Sequence, residues 1–373
     1  MKKIYQILLF ISLFTQAQNG SPALPYYNGF DWNLSFQPLK NALASKITTT
    51  HTKFLTYGQL ESSLRILDLD PNDTSNNNVL LMYGYDDVNL CVYSSESDFG
   101  TSPNWNQHRR RNKNADVGSF GSECAWNREH VYPQAQGTPN LGTTGAGSDA
   151  HHLRTCDVDR NSNRSSSKFG AGTGNSGYNG SFWYPGDEWK GDVARICMFL
   201  YLRYPTQCLP ENVGTGAFTS DMLSLFLQWN SEDPVSLYED KRNTYLGNSS
   251  NVYGQGNRNP FIDNPYLATR IWGGPAAQNR WPNIFVLDTN QFDLNSITSI
   301  YPNPSNSDVI TINSSILIDK IELLSINGQL IQQIKNPISQ NNDSYILENL
   351  QKGFYFVKLT SNNQTTIKKL IVN

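Results

Sequence analysis

The chain has 373 residues, 38% of them hydrophobic and 16% charged, with 27 Gly; this suits a loop-rich globular protein with a real core and excludes wholesale disorder. Its length leaves room for about two or three domains. A net charge of -3 excludes a uniformly basic surface, so any contact with a polyanion must come from local clustering.

In chain order, residues 1–17 read MKKIYQILLFISLFTQA: two Lys, an apolar stretch from Ile7 to Phe14, and the small-x-small site Thr15-Gln16-Ala17. This pattern predicts a secretory signal peptide, too short for a lasting membrane anchor. No other apolar run approaches membrane length, so the mature chain is expected to be exported and to carry no membrane span. Tyr26 to Ser63 reads as largely helical, with Leu39, Leu43 and Leu55 as core positions. Asp68, Asp70, Asn72 and Asp73 resemble a calcium loop superficially, but Asp73 stands where that loop needs Gly and Val79 where it needs its bidentate Glu, which leaves a turn. Val79 to Tyr85 reads as a buried strand.

Between Thr101 and Tyr204 there are 12 Lys/Arg against 9 Asp/Glu, a local excess of positive charge. The run His108-Arg109-Arg110-Arg111-Asn112-Lys113 is either a landing strip for phosphates or a solvated loop. Five cysteines, Cys91, Cys124, Cys156, Cys197 and Cys208, permit disulfides in an exported protein, and the odd number leaves one over in a monomer. A Cys124–Cys156 bond would brace the segment between them; two reduced buried thiols are the alternative.

That segment concentrates the chemistry. It reads WNREHVYP from Trp126 to Pro133 and DAHHLRTCDVDRNSNRSSSKFG from Asp149 to Gly170. A neutral imidazole with a pKa near ~6.5 can take a proton from water without a large shift, which makes His130 the candidate general base. Glu129 offers a charged oxygen and Asn161 a neutral one to a hydrated divalent cation, Mg²⁺ or another such as Mn²⁺ or Ca²⁺. Neighbours on a regular strand point to opposite faces, so Glu129 and His130 can share a site only at a strand end, which Pro133 makes plausible. The three-residue spacing of Asn161 and Arg164 puts both on one helical face. The expected local structure is a strand bearing 129 and 130, an irregular loop, a second strand around 149–153, and a helix from about 157.

Arg154 and Arg164 are the candidate phosphate contacts, with Arg128 and His151 as further substrate contacts; a surface ion pair is the alternative for Arg154. His151 and His152 lack the further ligands a zinc site requires, so one is expected to be a buried support and the other to face the site. Downstream, Asp187 to Tyr204 carries a helical stripe of Val193, Ile196, Cys197, Leu200 and Tyr201, and Met222 to Trp229 reads as another helix. Lys190, Asp192, Arg195 and the run Asn257-Arg258-Asn259-Pro260-Phe261 either line a groove or brace the core. Residues 276–299 read as a polar linker. From 300 to 373 short alternating strands with Asn327-Gly328 as a turn predict a small β-sandwich.

The Glu129-His130-Val131-Tyr132-Pro133 run, the Asp149-Ala150-His151-His152-Leu153 run and the Asn161-x-x-Arg164 spacing resemble the bacterial endonuclease I family, secreted or periplasmic nucleases of the His-Me finger (ββα-metal) class, with Ala150 in place of the usual Leu. The likeness extends through LDLDPND (67–73), LLMYGY (80–85), the 184–205 stretch, WNSEDPVS (229–236) and QGNRNPFIDNP (255–265), so it covers roughly residues 26 to 275. It implies a catalytic domain over 18–275, His130 as base, metal ligands at Glu129 and Asn161, and a product bearing a 5'-phosphate. Some family members hold the cleaved phosphate with an Arg in the loop after the Glu-His pair; Val131 to Ser148 contains no Lys or Arg.

Tyr301-Pro302-Asn303-Pro304, Asn327-Gly328-Gln329, Gly353-Phe354-Tyr355 and the terminal Lys-Leu-Ile-Val run resemble the C-terminal sorting domain of type IX secretion cargo in the Bacteroidetes. This implies the type IX machinery as a partner and a secreted or cell-surface location. The expectation is therefore an α+β chain with a ββα-metal finger and an all-β tail. Its function would be a secreted endonuclease with nucleic acid as substrate, DNA or RNA. The alternatives are a non-catalytic surface module that binds nucleic acid or adheres, and an exported phosphodiesterase of small substrates. No Gly-x-Ser-x-Gly elbow or His-Glu-x-x-His helix is present to support a serine hydrolase or zinc protease.

Overall fold

The computed structural model describes residues 21–84, 109–120, 125–285, 294–295, 297–339, 344–361 and 364–373. The expected signal peptide, His108, Cys91 and Cys124 lie outside the described residues. The chain is α+β, a mixed N-terminal part followed by an all-β one.

The predicted N-terminal helical stretch resolves into α1 (Phe36–Thr49), which buries Leu39, Leu43 and Ile47 at four-residue spacing, and α2 (Tyr57–Leu67). Thr56 and Gln59 form a reciprocal capping box that fixes the start of α2, and Leu60, Leu64 and Leu67 face inward. The expected turn at 68–73 is held by Asp73, whose carboxylate accepts backbone N–H bonds from Ser75, Asn77 and Asn78. Strand β1 (Asn78–Leu80) then pairs antiparallel with β2 (Arg110–Asn112), and a short α3 (Val117–Phe120) follows.

The finger is β3 (Trp126–His130), β4 (Leu153–Asp157) and α4 (Val158–Arg164). A hairpin of β5 (Gly177–Asn179) and β6 (Phe182–Tyr184) leads to α5 (Lys190–Arg203), which is buried from Gly191 through Leu200 and so serves as the central helix. Around it lie α6 (Pro210–Val213), the small ribbon of β7 (Phe218–Thr219) and β8 (Met222–Leu223), α7 (Ser224–Glu232), α8 (Leu237–Leu246), α9 (Pro260–Asp263) and α10 (Tyr266–Trp272). The predicted helix at 222–229 thus begins two residues late, because Met222 and Leu223 pair as strand.

The supposed linker from 276 begins inside the core: Ala277, Arg280, Trp281 and Phe285 are buried, and Trp281 and Phe285 belong to the same apolar cluster as α1 and α5. Cys156 is a free buried thiol donating to the Met82 carbonyl, so it is not bridged to Cys124; Cys197 and Cys208 are also free and buried.

The C-terminal part packs a three-stranded sheet, ordered β13 (Ser344–Leu347), β10 (Ile310–Ser314), β9 (Thr298–Tyr301), against a four-stranded one, ordered β12 (Leu330–Lys335), β11 (Lys320–Ser325), β14 (Gly353–Ser361), β15 (Gln364–Val372). Every pairing is antiparallel. Its core of Ile310, Ile312, Ile321, Leu323, Val357, Leu359 and Leu370 shares no residue with the cluster around α5. Gly328 adopts φ +80 in the β11–β12 turn, where a side chain would be strained. Among the described residues no helix is long and apolar enough to cross a membrane.

Candidate active site

β3 and β4 run antiparallel with Glu129 opposite Arg154 and His130 opposite Leu153. The second strand starts four residues later than its expected position at 149, because Asp149 to His152 forms a turn. The buried Asp149 carboxylate organises it, accepting from the His151 backbone N–H at 2.9 Å, from Gln255 at 3.0 Å and from the Tyr204 hydroxyl at 3.0 Å. Burial would raise its pKa, but His51, His151 and the bonds from the His151 backbone and Gln255 hold it below the ordinary carboxylate value. The helix starts on schedule: the Asp157 side chain caps it by accepting from the backbone of Asp159 and Arg160, each at 3.0 Å.

Glu129 is 2% exposed, and one of its oxygens, Oε1, accepts from Tyr83 Oη at 3.0 Å and Arg164 Nη1 at 2.9 Å. Neither of these bonds uses Oε2. Burial pushes the carboxyl pKa up, against the pull of Arg164 and Tyr83. Arg164 also donates to the carbonyls of His130 at 3.0 Å and Val131 at 2.8 Å, so one guanidinium fixes three consecutive residues where β3 ends.

The His130 ring is 9% exposed and bounded on three sides. Its Nε2 lies 3.0 Å from the Gly147 carbonyl in the Gly145–Ser148 turn, its face is stacked on Tyr57 at 5.7 Å and 18°, and His152 meets it edge-on at 5.4 Å. A carbonyl can only accept, so Nε2 carries the proton and Nδ1 presents the lone pair. Desolvation lowers the imidazole pKa to about 4, aided by Arg128 and Arg164 and opposed by the Gly147 bond, which keeps the ring neutral at physiological pH.

Asn161, half-buried on α4, donates Nδ2 to Asn127 Oδ1 at 2.7 Å and to the Arg128 carbonyl at 3.4 Å. Both partners belong to β3, so the amide sits against the strand that carries Glu129, with its nitrogen engaged and its oxygen outside those bonds. One carboxylate oxygen and one amide oxygen, completed by water, suit a hard cation such as Mg²⁺. They do not suit zinc. His151 and His152 are spent on the carbonyls of Asn257 at 3.1 Å and Ala146 at 2.7 Å, and among the described residues no three His, Cys, Asp or Glu side chains gather into a metal-binding group.

The four expected substrate contacts fare differently. Arg154 is 1% exposed and bonded to the carbonyls of His151 and Leu153, Arg164 is fully buried against Glu129, and His151 packs on Phe199 with its Nε2 on Asn257. None of these three reaches the surface, which corrects their expected position as phosphate contacts. Arg128 keeps partial exposure; its guanidinium lies over the ring of Tyr57 at 4.0 Å and donates to the Tyr57 carbonyl at 2.7 Å.

The basic run is also not a free strip. Arg109 pairs with Glu188, Arg110 with Asp70, and the buried Arg111 with Asp157. Asn257 and Asn259 hold backbone carbonyls of α1 and α5, Arg258 pairs with Asp263, and Arg195 with Glu239, so these braces belong to the core; Lys190 makes an outer ion pair with Glu232. Tyr57, Tyr83 and Gly147 were missed from sequence, since each approaches the motif from a remote segment and no local pattern marks it.

The chain is 38% identical over 249 residues to the extracellular ribonuclease of Bacillus amyloliquefaciens, covering 63% of this chain and 73% of that protein. It is 35% identical over 273 residues to the extracellular ribonuclease of Bacillus subtilis (strain 168), covering 68% and 82% respectively. A model of secretion system C-terminal sorting domains matches residues 299–373, which with the preceding domain makes this a secreted or cell-surface protein carrying a type IX sorting tail. A model of the Endonuclease I family matches residues 35–266, more than half the length, and the chain belongs to that family of nucleases.

Proposed function

We propose that the chain is a divalent-cation-dependent endonuclease that hydrolyses phosphodiester bonds in RNA and DNA with little sequence preference and leaves a 5'-phosphate. The observation that carries this reading is the His130 imidazole, tethered through Nε2 to Gly147 with Nδ1 left to accept a proton, on the strand end that also bears Glu129. RNA is included because the two Bacillus relatives are ribonucleases.

In this reading a water beside Nδ1 gives its proton to His130 as its oxygen attacks phosphorus, and the P–O3' bond breaks, the 3'-oxygen leaving as an alkoxide that takes a proton from solvent. A bound Mg²⁺ would act as Lewis acid for the phosphate oxygens, held by Glu129 and Asn161. The low pKa of free His130 makes it a weak base, but an arriving phosphate favours the imidazolium and so raises its basicity when it is needed. Arg164 acts through position, orienting Glu129 and the carbonyls around it, while Arg128 contacts the phosphate backbone. Contacts confined to phosphate read no bases, hence the weak sequence preference.

A second reading, a non-catalytic surface module, needs free basic charge. The ion pairs of Arg109, Arg110 and Arg111 count against it. Digestion of plasmid and of RNA by the purified protein separates the two: cleavage with Mg²⁺, none with EDTA, and recovery on metal add-back are expected. Retention of nucleic acid without cleavage under any divalent metal would overturn the proposal.

A further inference from the structure

Arg128 and His130, two residues apart on β3, both meet the ring of Tyr57. The Tyr57 ring lies nearly parallel to His130 at 18° and 5.7 Å, and the Arg128 guanidinium lies over the same ring at 4.0 Å while donating to the Tyr57 carbonyl at 2.7 Å. Arg128 is steadied in turn by Glu61, one turn further along α2. Tyr57 is the first residue of α2, and the Thr56–Gln59 capping box fixes the backbone there.

We infer that Tyr57 is a positioning residue for catalysis, a wedge whose aromatic face fixes the plane of the His130 imidazole while the Gly147 carbonyl fixes its rotation. The inference rests on the reading of His130 as general base. One hydrogen bond alone leaves an imidazole free to swing about that bond, and a base must hold its lone pair on the attacking water to within about 10–20°. Stacking removes that freedom. It works through ring area, so the phenol hydroxyl is dispensable, and no hydrogen bond from it enters the argument.

The test compares Tyr57→Ala and Tyr57→Phe with the wild type on one RNA substrate at saturating Mg²⁺, with His130→Ala alongside. Tyr57→Ala is expected to lower kcat about 10- to 100-fold with KM changed less than about threefold, the signature of a group that orients the chemistry. Tyr57→Phe is expected to stay within about twofold of wild type, because it keeps the stack. Thermal melting of each variant with the fold intact assigns the loss to the site. A kcat for folded Tyr57→Ala near the wild-type value, or a Tyr57→Phe as impaired as Tyr57→Ala, would overturn the inference. Full activity in His130→Ala would instead sink the function it rests on, so the two failures are distinguishable.

Discussion

The C-terminal sandwich and the nuclease domain bury different materials. In the sandwich, Ile310, Ile312, Val357 and Leu359 fill the interior, and the buried polar groups are Ser and Thr with Glu322 at the margin. Around β3, β4 and α5, the nuclease domain buries Arg111, Arg154, Arg164, Arg195 and Arg242 together with Asp68, Glu129, Asp149 and Glu239. Aliphatic burial stabilises a fold by about 25 cal/mol for each Å² removed from water. Burying a guanidinium costs desolvation, which its partners must offset. A sorting tail needs only to be folded, whereas a phosphodiesterase site needs charges whose directions are fixed, and the second interior supplies them.

The sharpest way to break that comparison is to remove Arg164. Arg164→Ala strands Glu129 in the interior and is expected to cost about 3–5 kcal/mol in denaturant unfolding and to abolish cleavage. The double variant Glu129→Gln, Arg164→Met should regain much of the stability and none of the activity, which would show that the pair serves function. Unchanged stability of the single variant would contradict the account.

Acid probes the same interior with a smaller effect. Burial depresses His151 to about 4 and His152 to about 3 from the ordinary 6.5. Depressed folded values mean that the unfolded chain binds protons first, so the stability these groups leave intact above pH 6.5 is lost as pH falls toward 4, up to on the order of 3 kcal/mol for His151. Asp233, raised to about 6 chiefly by burial, works in the opposite direction between its ordinary 3.8 and that value. Denaturant midpoints between pH 7 and 4.5 should therefore fall less steeply in His151→Asn, and an unaltered slope would rule out this origin of acid sensitivity.

The smallest effect is expected from the other region. Deleting residues 286–373 removes a core that shares no residue with the cluster around α5, so kcat on RNA should stay within about twofold. A large loss would mean that the sandwich supports the site.

Much of this was legible in the sequence, for physical reasons. The finger's strand-loop-strand-helix order depends on local spacing, and the sandwich on alternation, so both could be read. What depends on depth could not. Asn161 and Arg164 were rightly placed on one face, yet nothing local says that Arg164 lies in the interior against Glu129. The basic run has a different meaning once Asp70, Asp157 and Glu188 arrive from elsewhere in the chain. His151 and His152 lie in a turn because Gln255 and Tyr204 hold Asp149 from distant segments.

The central assertion is that one neutral imidazole takes the proton from water. Single-turnover cleavage of RNA by His130→Ala, with substrate binding measured in parallel, tests it directly. The account expects a rate about 10² to 10⁴-fold lower with binding retained; a rate within threefold of wild type would contradict it.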